Sequence, residues 1–281
     1  MQIVGFSELS CTPLYPRYLE FRNDVFNQLL KYHHTGNPVF QFTAFDASER
    51  LGTPYGVEYD QYDIPKTLHL AFVDAHGPLR KTPRSAADRD GAILGCLRFL
   101  PTDGPYMIRD AVSSGTWENV ELLVDDLPGS PAIYEASRIA VSPRVKDAAR
   151  RKAIVDSLVY ANVEIGVRLG VERMIGIMYD RVWNSVYRER GVPIRYLSKP
   201  FRVDDGPPII IGEIDTSAVT LAGLAGRYSR EIEAGLIVPA AIESATWMMH
   251  FYHVNRSMPS LPPAWETRAP SRPGIREAVG G

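Results

Sequence analysis

A chain of 281 residues, 45% of them hydrophobic, can bury one large core or two small ones, and its formal net charge of −2 excludes whole-protein attraction to nucleic acid or anionic membranes. Two cysteines, Cys11 and Cys96, are too few and too far apart for a disulfide framework or a zinc site. No stretch reaches the ~18 apolar residues of a membrane span, and the first twenty residues lack a basic-then-apolar signal pattern, so a reducing cytoplasm is the expected location, with no membrane span and no nucleic-acid partner.

Residues 16–32, PRYLEFRNDVFNQLLKY, open with a proline suited to a first helical turn and repeat Tyr18, Val25, Phe26 and Leu29 along one face. This predicts a helix with Arg22 on that face. Residues 33–56 mix polar, glycine and aromatic residues without sustained period and read as a long covering loop. Alternation predicts a strand over 67–75 and an antiparallel neighbour over 91–100, joined by a charged loop. PTDGPYMIRDAV reads as a turn into a short helix, and 132–141 as a third strand that Pro143 stops.

Residues 148–169 place Ile154, Leu158, Ala161, Ile165 and Leu169 at helical spacing, with Gly170 as the stop. A buried strand over 171–179, a helix over 182–190 ended by Gly191, and closing strands over 194–202 and 208–214 complete an α/β layout. The expected organisation is an α/β domain over 1–215, a helical extension over 216–254 and a disordered tail over 255–281, whose Pro, Arg and Ser content cannot build a core.

The chemistry concentrates in GVEYDQYD, where Glu58, Asp60 and Asp63 put three acids into six residues. Two arginines sit alone in apolar strings, Arg98 in GAILGCLRFLP and Arg138 in PAIYEASRIAV. A buried arginine persists only when paired, because an unpaired charge loses more hydration than packing returns. The acids and arginines therefore read as one polar site. The other readings of the acids are a solvated turn or a calcium loop, but EYDQYDIPKTLH lacks the glycine and distal glutamate of an EF-hand, and no metal is expected.

Arg22 and Phe26 would project a cation and a ring together, suited to a polar, ring-bearing ligand; alternatively Arg22 is a border residue whose stem covers the core. Strand alternation sends Glu135 and Ser137 to one face and Arg138 to the other, so Glu135 and Arg138 need not pair. Desolvation of a glutamate in an apolar strand raises its pKa, the condition for a general base near neutral pH. A structural ion pair is the competing reading. The six histidines show no metal or triad spacing, and there is no G-x-S-x-G, Walker loop or helix-opening G-x-G-x-x-G.

In chain order, FRNDVF, GVEYDQYD, GCLRFLPTDGPYMI and YEASRIAVSP resemble the successive signature blocks of the acyl-homoserine-lactone synthases, from about residue 22 to about residue 214. The resemblance implies an αβα sandwich with a mixed central sheet, N-acetyltransferase-like. A V-shaped opening between two of its strands would admit the phosphopantetheine arm of an acylated carrier protein. It also implies the reaction: S-adenosylmethionine offers its amine to the acyl thioester, and its carboxylate then displaces methylthioadenosine to close an N-acyl-homoserine lactone, a quorum-sensing signal. The methionine derivative is a substrate, so no cofactor is implied.

Carried over by motif, the resemblance implies that Glu135, Arg98 and Asp60 form the catalytic set, with Glu135 as base. Arg22, Phe26, Tyr32, Asp60, Asp63 and Arg138 would surround S-adenosylmethionine, and Ser137 and Met178 would line the acyl and phosphopantetheine path. Glu58 falls behind Asp60 and Asp63 in this reading. Met174, Ile175, Ile177 and Met178 either line an acyl tunnel or simply pack.

Three departures stand out: Tyr32 where the family usually has tryptophan, a longer segment before Asp60, and the extension beyond Asp215. PRVKDAARRKA lacks the glycines of a pyrophosphate cradle at a helix start. Its cations Arg144, Lys146, Arg150, Arg151 and Lys152 suit the acidic helix of an acyl carrier protein or are a solvated helix start, and a coenzyme A donor stays open. Two other functions compete: an N-acyl amino acid synthase of the same fold, and a non-catalytic carrier-protein or metabolite-binding module.

Overall fold

Eight strands, β1 (Gln2–Phe6), β2 (Leu68–Val73), β3 (Ile93–Pro101), β4 (Ile133–Val141), β5 (Arg173–Tyr179), β6 (Ile194–Tyr196), β7 (Ile209–Asp215) and β8 (Ala241–Ile242), form one sheet. Their order is β6-β7-β5-β4-β3-β2-β1-β8. It is mixed: β4 pairs with β5 and β1 with β8 in parallel, and the remaining neighbours are antiparallel. This computed structural model describes residues 1–7, 14–29, 57–74, 93–203 and 206–254. Tyr32, the expected loop over 33–56, the loop over 76–90 and the expected tail over 255–281 lie outside the described residues.

Every residue of β2 and β3 is buried, as a sheet covered on both faces requires. One face carries α3 (Ala148–Leu169), whose Ile154, Leu158, Ala161 and Ile165 pack with Leu70, Phe72, Tyr134 and Met174. The other carries α1 (Leu14–Arg22) against Ala71, Val73 and Cys96, and α2 (Met107–Ser113) against Leu100, Ile133 and Ile175. The result is the expected αβα arrangement. Helix α3 begins where the Asp147 carboxylate accepts from Arg150 N–H at 2.7 Å and ends at Gly170 in the left-handed region, φ 77°, so both termini satisfy backbone groups that the helix leaves open.

The expected helix over 16–32 is α1 followed by a π-helical segment, Asn23–Leu29. Strand β1, unforeseen, pairs along its whole length with β2. The strand expected over 194–202 shortens to β6 plus two isolated bridges, Ser198 to Leu122 and Phe201 to Ile209, and that expected over 208–214 is β7. Between β5 and β6 the chain winds through α4 (Asp180–Val182), a π-helical turn and a 3-10 turn, closing at Gly191 with φ 82°.

Residues 216–254 are not a separate helical body. They contain α5 (Ala218–Arg227), α6 (Ser229–Glu233), the edge strand β8 and α7 (Ser244–Val254). Their attachment to α3 is specific: Arg168 Nη1 donates to Ala240 O at 2.6 Å, Ala240 N–H donates to Glu164 at 3.0 Å, and Trp247 joins the core on the α3 face. No helix among the described residues is long and apolar enough to cross a membrane.

The pairing of β4 with β5 positions the candidate site. The parallel pairing of β4 and β5 covers only Ile133↔Arg173, Tyr134↔Met174 and Glu135↔Ile175, yet β4 runs on to Val141 and β5 to Tyr179. The two strands part beyond Glu135. Strand β5 stays paired with β7 along its full length, so the opening lies on its β4 side.

Candidate active site

Strand β3 pairs with β4 through Arg98↔Ser137 and Cys96↔Ala140. Two steps on β3 face three on β4, so β4 carries one extra residue, a β-bulge. Its geometry shows at Arg138, which has φ 55°, a left-handed conformation costly for a side chain with a Cβ. The Cys96 thiol donates to Arg138 O at 3.0 Å. Before the bulge Tyr134 and Ala136 face α3; after it Ile139 and Val141 do. Ser137 and Arg138 therefore both face the opposite side. The strict alternation expected for 135, 137 and 138 is corrected here, although Glu135 and Arg138 indeed do not pair.

On that face three arginines meet three acids, all buried. Arg22 forks onto Asp63 with bonds of 2.7 and 2.9 Å and also donates to Glu58. Arg98 Nη1 donates to Asp60 Oδ1 at 2.6 Å and to Asp63 Oδ1 at 3.1 Å, and its Nε donates to Ser137 Oγ at 3.1 Å. Arg138 Nη2 donates to Asp60 Oδ2 at 2.7 Å and its Nε to Glu58 Oε1 at 2.9 Å. Backbone N–H groups of Asp60 and Tyr62 complete the carboxylates of Asp63 and Asp60. Each guanidinium also lies near a ring: Arg22 by Tyr18 at 5.6 Å, Arg98 by Tyr62 at 6.0 Å, Arg138 by Phe26 at 5.4 Å.

Burial alone would raise the pKa of Asp63, but the guanidiniums of Arg22 and Arg98 outweigh it and hold that carboxyl far below the usual range. The set is formally neutral, three charges of each sign, which is how six charged groups can share a dry interior. Two expectations change. Glu58, set behind its neighbours by the sequence, joins Arg22 to Arg138 and is as central as Asp60. Every oxygen of Asp60 and Asp63 already accepts at least one hydrogen bond from an arginine, so holding the arginines is the first role of these acids. Among the described residues no cluster of three or more His, Cys, Asp or Glu is arranged to hold a metal ion.

Glu135 stands beside this network with different bonding. Its Oε2 accepts from Ile108 N–H at 2.9 Å, a donor left open in the first turn of α2. Its Oε1 has no hydrogen-bond partner, and neither has Arg98 Nη2. Burial raises its pKa; Arg98, the Ile108 N–H and Ser137 oppose that rise without cancelling it. A buried carboxylate thus keeps one acceptor unspent at the point where β4 and β5 part.

Sequence reasoning passed over His69, which pairs with Arg98 across β2 and β3. Its ring lies 5.8, 5.3 and 5.0 Å from those of Phe6, Tyr15 and Tyr18. Neither ring nitrogen has a hydrogen-bond partner, and burial pushes its pKa down to about 3, so it is neutral. Its place in the LHLAFV run was the available signal. The hydrophobic residues of β5 divide: Met174 and Met178 face α3, while Ile175 and Ile177 face α2. The four cannot line one tunnel together. The cations at the start of α3 are all exposed, but Arg150 is bound to Asp74 and Lys152 to Asp156, each at 2.6 Å.

A helix-covered mixed sheet, parted between two parallel strands beside a buried glutamate with a free oxygen, is the frame of an α/β enzyme site, and the family match makes its class acyltransferase. The chain belongs to the autoinducer synthase family, whose model matches residues 50–220. The acyl-homoserine-lactone synthase of Ralstonia nicotianae is 30% identical over 169 residues, covering 59% of this chain and 72% of that protein. That of Vibrio anguillarum is 31% identical over 128 residues, covering 45% and 47%. Among solved structures, TofI in a ternary complex with an inhibitor and MTA is 26% identical, with a TM-score of 0.54 over 80% of this chain and 96% of its own. BjaI, a CoA-dependent acyl-homoserine lactone synthase solved with MTA, has a TM-score of 0.63 over 89% and 98%; at 18% identity this likeness concerns the fold.

Proposed function

We propose that the protein transfers an acyl group from a thioester to the α-amine of S-adenosylmethionine and then closes an N-acyl-homoserine lactone. The observation that carries this reading is Glu135: buried, raised in pKa, one oxygen held by Ile108 and the other free at the opening between β4 and β5. An ammonium cannot attack a carbonyl. Glu135, directly or through a water, takes a proton from it; the freed nitrogen bonds to the acyl carbon, and the carbon–sulfur bond of the thioester breaks to release the donor thiol. The substrate carboxylate oxygen then bonds to its own γ-carbon, whose bond to the sulfonium breaks, leaving methylthioadenosine and the lactone ring. TofI and BjaI, each solved with MTA, support this choice of second product.

Arg22, Phe26, Asp60, Asp63 and Arg138 would make the wall against which S-adenosylmethionine lies. In this reading the acids act through the arginines: they fix the guanidiniums of Arg98 and Arg138, and Arg98 Nη2 remains available to an oxygen of the substrate or of the tetrahedral intermediate. Ser137, held by Arg98 Nε, and half-buried Met178 flank the opening, where the acyl and phosphopantetheine groups would pass. No resident cofactor enters the scheme.

For the donor we favour an acyl carrier protein. Arg144, Lys146 and Arg151 are exposed at the end of β4 and the start of α3, the β4 side of the opening, and such a patch suits an acidic partner helix. Arg150 and Lys152 belong to the same patch, weakened as docking groups by their intramolecular acids. Incubation with S-adenosylmethionine and either acylated carrier protein or acyl-coenzyme A, read by mass spectrometry, tests both levels. An acyl-homoserine lactone formed from the carrier-bound donor supports the full reading. Lactone from coenzyme A alone overturns the donor assignment, and no lactone from any donor overturns the reaction.

A further inference from the structure

Helix α7 sends two histidines, one turn apart, to the two segments that hold Glu135. His250 Nδ1 and the Tyr134 hydroxyl share a buried hydrogen bond of 2.9 Å. Tyr134 immediately precedes Glu135 and is the middle one of the three β4 residues paired with β5, so it sits one residue inside the apex of the opening. It points to the α3 face, opposite to Glu135. His253 Nε2 lies 3.0 Å from Asp103 Oδ1, in the turn between β3 and α2, and α2 supplies the Ile108 N–H that holds Glu135 Oε2.

We propose that His250 and Tyr134 are positioning residues for the acylation step: α7 fixes β4 from behind the sheet at the residue next to Glu135, so that the free Oε1 of Glu135 keeps its aim. His253 with Asp103 steadies the other holder of the same carboxylate. Burial pushes His250 down to a pKa of about 3, so its bond to Tyr134 joins neutral groups and is unaffected by pH near neutrality. Helix α7 lies outside the residues matched by the family model. The geometry matters because misplacing a catalytic group by about 1 Å can cost on the order of 100-fold in rate.

The inference rests on Glu135 being the base, and the experiment separates the two. Steady-state kinetics with S-adenosylmethionine are measured for Tyr134→Phe, His250→Leu, the double variant and His250→Asn, whose side-chain amide can replace Nδ1. The expected result is a kcat about tenfold or more lower in each of the first two, with KM for S-adenosylmethionine within about twofold. The double variant should be no worse than the weaker single, and His250→Asn should regain most of the loss. Wild-type kcat in Tyr134→Phe, additive losses in the double variant, or no advantage of asparagine over leucine would overturn the positioning role. Should His250→Leu fail to fold, Tyr134→Phe, which keeps the ring, carries the test. If Glu135→Gln is inactive while Tyr134→Phe is unimpaired, only this inference falls; if Glu135→Gln is fully active, the base assignment falls first.

Discussion

Arg98 and Arg138 grip opposite oxygens of one carboxylate, that of Asp60, at 2.6 and 2.7 Å. The arginines come from neighbouring strands, and a one-residue bulge turns Arg138 to the side of Arg98. The left-handed backbone at Arg138 costs roughly 1–2 kcal/mol; the ion pairs and the ring of Phe26 hold it there. The network is thus a scaffold in its own right, and its disruption should appear in stability as well as in turnover.

Removing the shared anion tests the scaffold first. Asp60→Ala leaves two buried guanidiniums short of a partner, and the expected loss is about 3–5 kcal/mol of unfolding free energy, read by urea titration. A loss below about 1 kcal/mol, within the range of exposed pairs, would show that the network is not buried as described.

Arg22 tests geometry at constant charge. It makes two parallel bonds to Asp63 and a third to Glu58, and a lysine ammonium cannot reproduce that fork. Arg22→Lys should cost about 2 kcal/mol. Wild-type stability would mean that charge alone suffices.

Gly95 tests the strand spacing near the bulge. A Cβ there would lie 2.8 Å from the Ala140 carbonyl oxygen, a backbone atom that cannot swing aside. Gly95→Ala should destabilise by about 1–3 kcal/mol, seen as a lower melting temperature, and should lower kcat by shifting Arg138. An unchanged melting temperature would contradict the close approach of β3 and β4.

The pH dependence follows from His69. Its folded pKa, about 3, lies below its ordinary value of about 6.5, so its contribution to stability is present above pH ~6.5 and is lost as pH falls towards 3. The slope in that window approaches about 1.4 kcal/mol per pH unit. His250 adds a second contribution of the same sign, and Asp63, held low by its arginines, adds one below about pH 4. In His69→Phe the stability lost between pH 7 and pH 5 should shrink by about 2 kcal/mol. An unchanged loss would mean that His69 is not buried neutral.

Much of this site was legible in the chain because charge in an apolar string is itself a constraint. Arg98 and Arg138 had to find acids, and GVEYDQYD was the dense source. Period and helix stops fixed α3, β5 and the strand pair β2 and β3. What sequence did not carry is backbone geometry: strict alternation put Arg138 on the wrong face because the bulge shows only as a register shift. Motif matching favoured Asp60 and Asp63, but only the distances reveal that Glu58 bridges two arginines. The Ile108 N–H, a backbone donor, has no residue signature. Strand β1 is five residues long, too short for its pattern to stand out, and the attachment of α7 to Tyr134 spans 116 positions, beyond the reach of any local pattern.

The most direct test of Glu135 as the base is methylthioadenosine release, followed with S-adenosylmethionine and an acylated donor for the native chain and for Glu135→Gln, with both proteins shown to fold. The native chain should release methylthioadenosine in step with lactone, and Glu135→Gln should be slower by about 10²–10⁴-fold with a similar KM for S-adenosylmethionine. Equal rates in the two proteins, or no methylthioadenosine from the native chain with any donor, would contradict the assignment.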